Sequence, residues 1–196
     1  MVWARASGEA AGGGPASVFE TLALSKYPRD AVFEAAREAL PQAVVYFDDI
    51  EKVVVDRRIE DGDRIEMMNV WYAKMPIPEL LVGLIEPHML VWTDHAVWSR
   101  STHTCRWRIV SHFFPHHVRC SGVTRYDEAM RGQATRVAMR GEIFVDPRGI
   151  PHVPEPLQRH TARGIEEFVC AMAPSGLRKF VDAVSHYIAD FVPPSR

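Results

Sequence analysis

Between about Val53 and Val145 the chain strings together short amphipathic segments rich in β-branched and aromatic residues, and one long amphipathic helical segment then runs almost to the C-terminus. This order constrains the fold more than any other feature. Strands that alternate apolar and polar residues bury one face only, and a helix with a single apolar stripe needs a sheet or another helix to cover it. An α+β arrangement satisfies both demands, with a curved antiparallel sheet wrapped around the long C-terminal helix. Such a wrap tends to enclose a cavity, so the expected function is the binding of an apolar molecule.

The local signals divide the chain as follows. Ser17 to Ser25 alternates apolar and polar positions and reads as a first strand. Pro28 and Asp30 open a short helix carrying Val32, Phe33, Ala36 and Leu40, which ends near Pro41, and a second short turn or helix is expected around Ala43 to Asp48. Lys52 to Glu60 and Arg64 to Lys74 form a hairpin across Asp61-Gly62. Met89 to Ser99, Thr104 to Phe114, Val118 to Asp127 and Ala134 to Asp146 follow as an antiparallel meander. The final helix spans Pro154 to Phe191, and Pro174 is expected to kink or break it.

Composition removes several classes of function. With 196 residues, 47% of them hydrophobic, the chain can bury a full core, and one domain over 17–196 is expected. A formal charge of -2 leaves no basic field for nucleic acid. Cys105, Cys120 and Cys170 form no CxxC pair, which suits a reducing, cytoplasmic setting. No stretch reaches the ~18 apolar residues of a bilayer span. Residues 1–16, ending in a Gly-rich run, are expected to be a disordered leader.

Candidate binding residues come from the strands. Trp71, Trp92, Trp98 and Trp107 all fall on them, where flat rings either wall a pocket or fill the core. Asn69 shares a strand face with Met67 and Trp71, so its amide is expected to point into an apolar interior. A ligand headgroup, His112, Tyr126, backbone or water are its candidate partners. His112, His116 and His117 are dense, but Pro115 implies a turn and neighbouring strand residues face opposite ways, so no metal site is expected. The same rule denies Asp94 and His95 an acid-base dyad, and any catalytic pair must come from different strands, with Asp94, His112 and Tyr126 as candidates. The chain has no GxSxG, HExxH, P-loop or dinucleotide-binding fingerprint and implies no cofactor.

The segment 77–85 is apolar on nearly all sides and bounded by prolines. It reads as a surface packed into the domain, as a homodimer interface, or as a gate led by Leu80 and Leu84 that also touches a membrane transiently.

Taken together, strand, short helices, hairpin, apolar segment, meander and long C-terminal helix resemble the START-like or helix-grip superfamily (SRPBCC). It includes the birch pollen allergen family, polyketide aromatase/cyclases and PRELI-type lipid carriers. The likeness covers about Ser17 to Phe191. Locally it is nearest to PRELI-like and coenzyme Q-binding types through Val55-Asp56-Arg57-Arg58-Ile59-Glu60-Asp61-Gly62, the Pro-rich stretch after Trp71, and Met89-Leu90-Val91-Trp92-Thr93-Asp94. The resemblance implies a hydrophobic ligand held between sheet and C-terminal helix, with some members catalysing reactions in the same cavity. The expectation is therefore sequestration or transfer of a lipid, isoprenoid or polyketide-like molecule by Asn69, Trp71, Trp92, Trp107, His112 and Tyr126. The alternatives are a cyclase or dehydratase in that cavity, and an interaction module with a solid core.

Overall fold

The computed structural model describes residues 16–74 and 90–192. The leader expected over 1–16 lies outside these residues except for Ala16, and the gate with Leu80 and Leu84 lies wholly outside them. In chain order the elements are β1 (Ser17–Ser25), α1 (Arg29–Glu38), α2 (Leu40–Ala43), β2 (Ile50–Asp61), β3 (Arg64–Ala73), β4 (Val91–Ser99), β5 (Thr104–Ser111), β6 (Val118–Ala129), β7 (Ala134–Val145) and α3 (Glu155–Phe191). The described strands form one seven-stranded sheet in the order β1-β7-β6-β5-β4-β3-β2, antiparallel throughout. No described helix is long and apolar enough to cross a membrane.

Local chemistry accounts for the principal turns. Asp61 pairs with Arg64 across the β2–β3 hairpin, and Gly62 carries φ +55°, a conformation that glycine adopts without a Cβ penalty. Asp63 in the β2–β3 turn accepts hydrogen bonds from Ser99 Oγ at 2.7 Å and from the Ser101 amide at 2.6 Å, which ties that turn to the β4–β5 connection.

Period-two alternation and register place side chains in rows across the concave face. One row runs Asn69, Asp94, Ile109, Cys120, Ile143 and Ser17. The next runs Met67, Ala96, Trp107, Gly122, Gly141 and Phe19. A third runs Ile65, Trp98, Cys105, Thr124, Met139 and Thr21. On the convex side sit Thr93, His95, Arg106 and Arg108, together with the ion pair Arg64–Glu66.

Across the concave face lies α3. Ile165, Phe168, Val169, Met172, Ala173, Gly176, Leu177 and Phe180 recur at helical spacing on the side that meets the sheet. Contrary to the expected break, the helix continues through Pro174. Buried side chains anchor it on both sides of the proline, Ile165 before it and Leu177, Val181, Val184 and Ile188 after it, and this packing outweighs the lost backbone donor.

A buried-edge clamp fixes the first half of α3. Glu166 Oε1 accepts a hydrogen bond from the Val145 amide at 2.7 Å and Oε2 accepts one from Ser17 Oγ at 2.9 Å, joining the helix to the last residue of β7 and the first of β1. Glu166→Ala is expected to lower unfolding stability by about 2 kcal/mol, the scale of losing hydrogen bonds to a charged acceptor. Urea denaturation checks this, and an unchanged midpoint would show that the clamp adds no stability.

Candidate functional site

Between the concave face and α3 the structure encloses a cavity of about 470 Å³, within the size range of small-molecule sites. The interior is therefore not solid. Its walls come from all seven strands, α2, the segment before β2, and the inner stripe of α3, and nearly all are apolar. Asp49 and Lys179 line it where the wall reaches solvent, joined by a 2.7 Å hydrogen-bonded ion pair.

The space survives because small residues let bulky ones lie flat against the sheet. Gly122 and Gly141 face each other across β6 and β7, and the indole of Trp107 lies over them. A Cβ built on either glycine would sit 2.7 Å from Trp107 Cη2. Mid-strand glycine commonly marks such close approach. Trp107 Nε1 donates to Thr124 Oγ1 at 3.1 Å, and Phe19 stacks beside the indole with ring centroids 6.3 Å apart. On α3, Ala173 and Gly176 leave the facing side open.

Two further aromatic groups complete the walls. Trp71 and Trp92 are paired across β3 and β4 and stack at 6.0 Å with an interplanar angle of 8°, with Phe47 edge-on to Trp71 at 6.2 Å. Trp98 and Tyr126 pack at 6.0 Å, and Phe33 of α1 meets both edge-on. Flat rings of this kind give a ligand large contact area with little rotamer loss.

Asp94 is the exception in this wall. It lines the cavity among Trp98, Cys105, Trp107, Ile109 and Tyr126. Its Oδ2 accepts a long 3.5 Å hydrogen bond from Asn69 Nδ2, while its Oδ1 is shielded from solvent and unpartnered among the described residues. Burial pushes the carboxyl up to about 7, a rise that the Asn69 contact only partly opposes. Burial likewise drives the Cys105 thiol and Tyr126 phenol well above their ordinary ranges, and the nearby Asp94 adds to each.

The structure brings together Trp71, Trp92, Trp107, Tyr126 and Asp94 of the expected residues. Asn69 is fully buried beside Asp94, its register partner on β4, and does not line the cavity, and its side-chain partner is Asp94 rather than His112 or Tyr126. Placing His112 in the pocket requires correction. It follows the end of β5, hydrogen-bonds Thr93 Oγ1 on the convex side at 2.9 Å, and leaves Ser111 and Phe113 to line the cavity. Five residues apart on one extended run, Trp107 and His112 cannot share a face. His117 contacts the Asp146 carbonyl through Nδ1 at 3.1 Å. The expected list omitted Phe19, Ile109, Met139 and Phe180, as well as the glycine slot. Of these, only Gly122 and Gly141 carried a signal, as glycines inside strand patterns.

No protein-family model matches the chain, and no curated protein matches it by sequence. Solved structures do. Zhui aromatase/cyclase from Streptomyces sp. R1128 aligns with a TM-score of 0.61 at 13% identity, covering 89% of this chain and 96% of that one. Norcoclaurine synthase from Thalictrum flavum aligns at 0.56 and 12% identity, covering 90% and 88%. A START superfamily protein from Mycobacterium smegmatis aligns at 0.53 and 9% identity, covering 89% and 99%. The chain thus has the START-like, helix-grip fold.

Proposed function

We propose that this protein binds a hydrophobic or amphipathic small molecule in the cavity between its sheet and α3, sequestering or transferring it. The observation that carries this reading is the 470 Å³ space walled by stacked tryptophans and the inner stripe of α3. An apolar ligand entering it displaces poorly held water and buries its own surface, which is favourable at roughly 25 cal/mol per Å². Asp94 supplies one polar contact, and a ring-bearing skeleton of the lipid, isoprenoid or polyketide-like kind suits the aromatic walls. The likeness to an aromatase/cyclase and to norcoclaurine synthase is consistent with ring-bearing ligands.

Native mass spectrometry of the purified protein, before and after exposure to a mixed panel of lipids and aromatic polyketides, tests the reading. A discrete ligand mass is expected with the wild type. Ala173→Phe projects a ring from α3 into the cavity and is expected to weaken uptake at least tenfold while the protein stays folded, a difference of about 1.4 kcal/mol. Uptake by neither protein would sink the proposal.

A second reading, an enzyme of the cyclase or dehydratase kind, is favoured by one observation: Asp94 and Tyr126 line the same cavity. In that case turnover of a polyketone would be abolished by Asp94→Asn and Tyr126→Phe and spared by His112→Ala.

A further inference from the structure

We infer that the buried carboxyl of Asp94 is a hydrogen-bond-donating subsite that takes the carbonyl oxygen of an otherwise apolar ring ketone. The inference rests on the cavity reading above and names the ligand's polar group.

Asp94 lines the cavity, and its Oδ1 is shielded and without a partner among the described residues. A carboxyl is acceptor-only when ionised and gains a donor when protonated. No charged group of the described residues offsets an ionised Asp94. From β3 it meets neutral Asn69, from β5 Cys105 and from β6 Tyr126, and the α3 residues that line the same cavity near its middle, Leu177 and Phe180 among them, are apolar. The charged residues that also line the cavity, Asp49 and Lys179, pair with each other. Burial holds the carboxyl protonated up to about pH 7.

Near neutrality, then, the unmatched oxygen of Asp94 belongs to a carboxyl that holds a proton to donate. Asn69, whose Oδ1 is an unpartnered acceptor, is beside Asp94 and outside the lining. A site whose spare groups donate favours an acceptor and rejects a hydrocarbon that leaves them unmatched. It also rejects a carboxylate, whose charge would enter a region without a counter-ion.

Acetylnaphthalene and ethylnaphthalene of the same substitution pattern differ in little but the carbonyl, and their affinities can be read from quenching of tryptophan fluorescence. At about pH 6 the wild type is expected to bind the ketone roughly tenfold more tightly than the hydrocarbon. The preference is expected to shrink towards unity at about pH 8.5, where Asp94 has lost its donor proton. Asp94→Leu is expected to abolish the preference while keeping the hydrocarbon bound. Asp94→Asn, which retains a donor and cannot ionise, is expected to keep the preference at both pH values. Equal affinity of the wild type for both probes would overturn the inference alone, as would a preference surviving in Asp94→Leu. Binding of neither probe would overturn the cavity reading and this inference with it.

Discussion

Gly122→Ala is expected to lower the thermal midpoint by roughly 5–15 °C, the equivalent of about 2–4 kcal/mol for a chain of this size. The added methyl would fall well inside contact distance of the Arg140 backbone carbonyl and the Trp107 ring. Neither neighbour can yield cheaply. The Arg140 carbonyl belongs to β7, and the Trp107 indole is held by its bond to Thr124 and by Phe19. The matching change in α3, Gly176→Ala, meets nothing within 4 Å and is expected to raise stability by about 0.5–1 kcal/mol through helix propensity. Differential scanning calorimetry on the two variants separates the effects. A Gly122→Ala midpoint within a degree of the wild type would show that the glycine slot does not constrain the indole.

The second large effect is a dependence of stability on pH that Asp94 imposes. Its folded-state pKa, about 7, lies above the ordinary value of 3.8. Below both values the carboxyl is protonated whether the chain is folded or not, and it contributes no pH dependence. Between them the unfolded chain has released a proton that the folded chain still holds, so stability falls as pH rises, and the loss is complete above about pH 7. At about 1.4 kcal/mol per pH unit the full loss is on the order of 4 kcal/mol, and contact with cavity water reduces it to about 2–4 kcal/mol. Asp94→Asn lacks this term. Its stability relative to the wild type is therefore expected to climb by that amount between about pH 4.5 and pH 8 in urea titrations. A constant difference across that range would mean that Asp94 is ionised in the folded protein at neutral pH.

Much of the framework was legible because it rests on local periodicity. The alternation of Ser17 to Ser25 marked β1, the Asp61-Gly62 turn marked the β2–β3 hairpin, and the spacing from Leu177 onward marked the inner face of α3. The inward set Trp71, Trp92 and Trp107 also followed from alternation, since each strand needs only one correct choice of face. His112 was misplaced where that choice was not applied along the same strand, and the run ended at Ser111, three residues before the expected Phe114. Pro174 was misread for the opposite reason. A local rule against proline inside a helix gave way to packing supplied by residues far along the chain.

What the sequence by itself determined is the succession of elements and the apolar face of each, because alternation on a strand and spacing on a helix are short-range properties of neighbouring residues. Only the tertiary structure decided which residues meet. Asn69 and Asp94 are 25 positions apart, and Gly122 and Gly141 are 19 apart. Their pairing depends on strand register, and the hydrogen bonds of an antiparallel ladder can be made in more than one register until the turns and the packed core select one. The cavity has the same origin. Its volume is the difference between the space enclosed by the sheet and α3 and the side chains that enter it, a quantity that belongs to the assembled fold and to no segment of the chain.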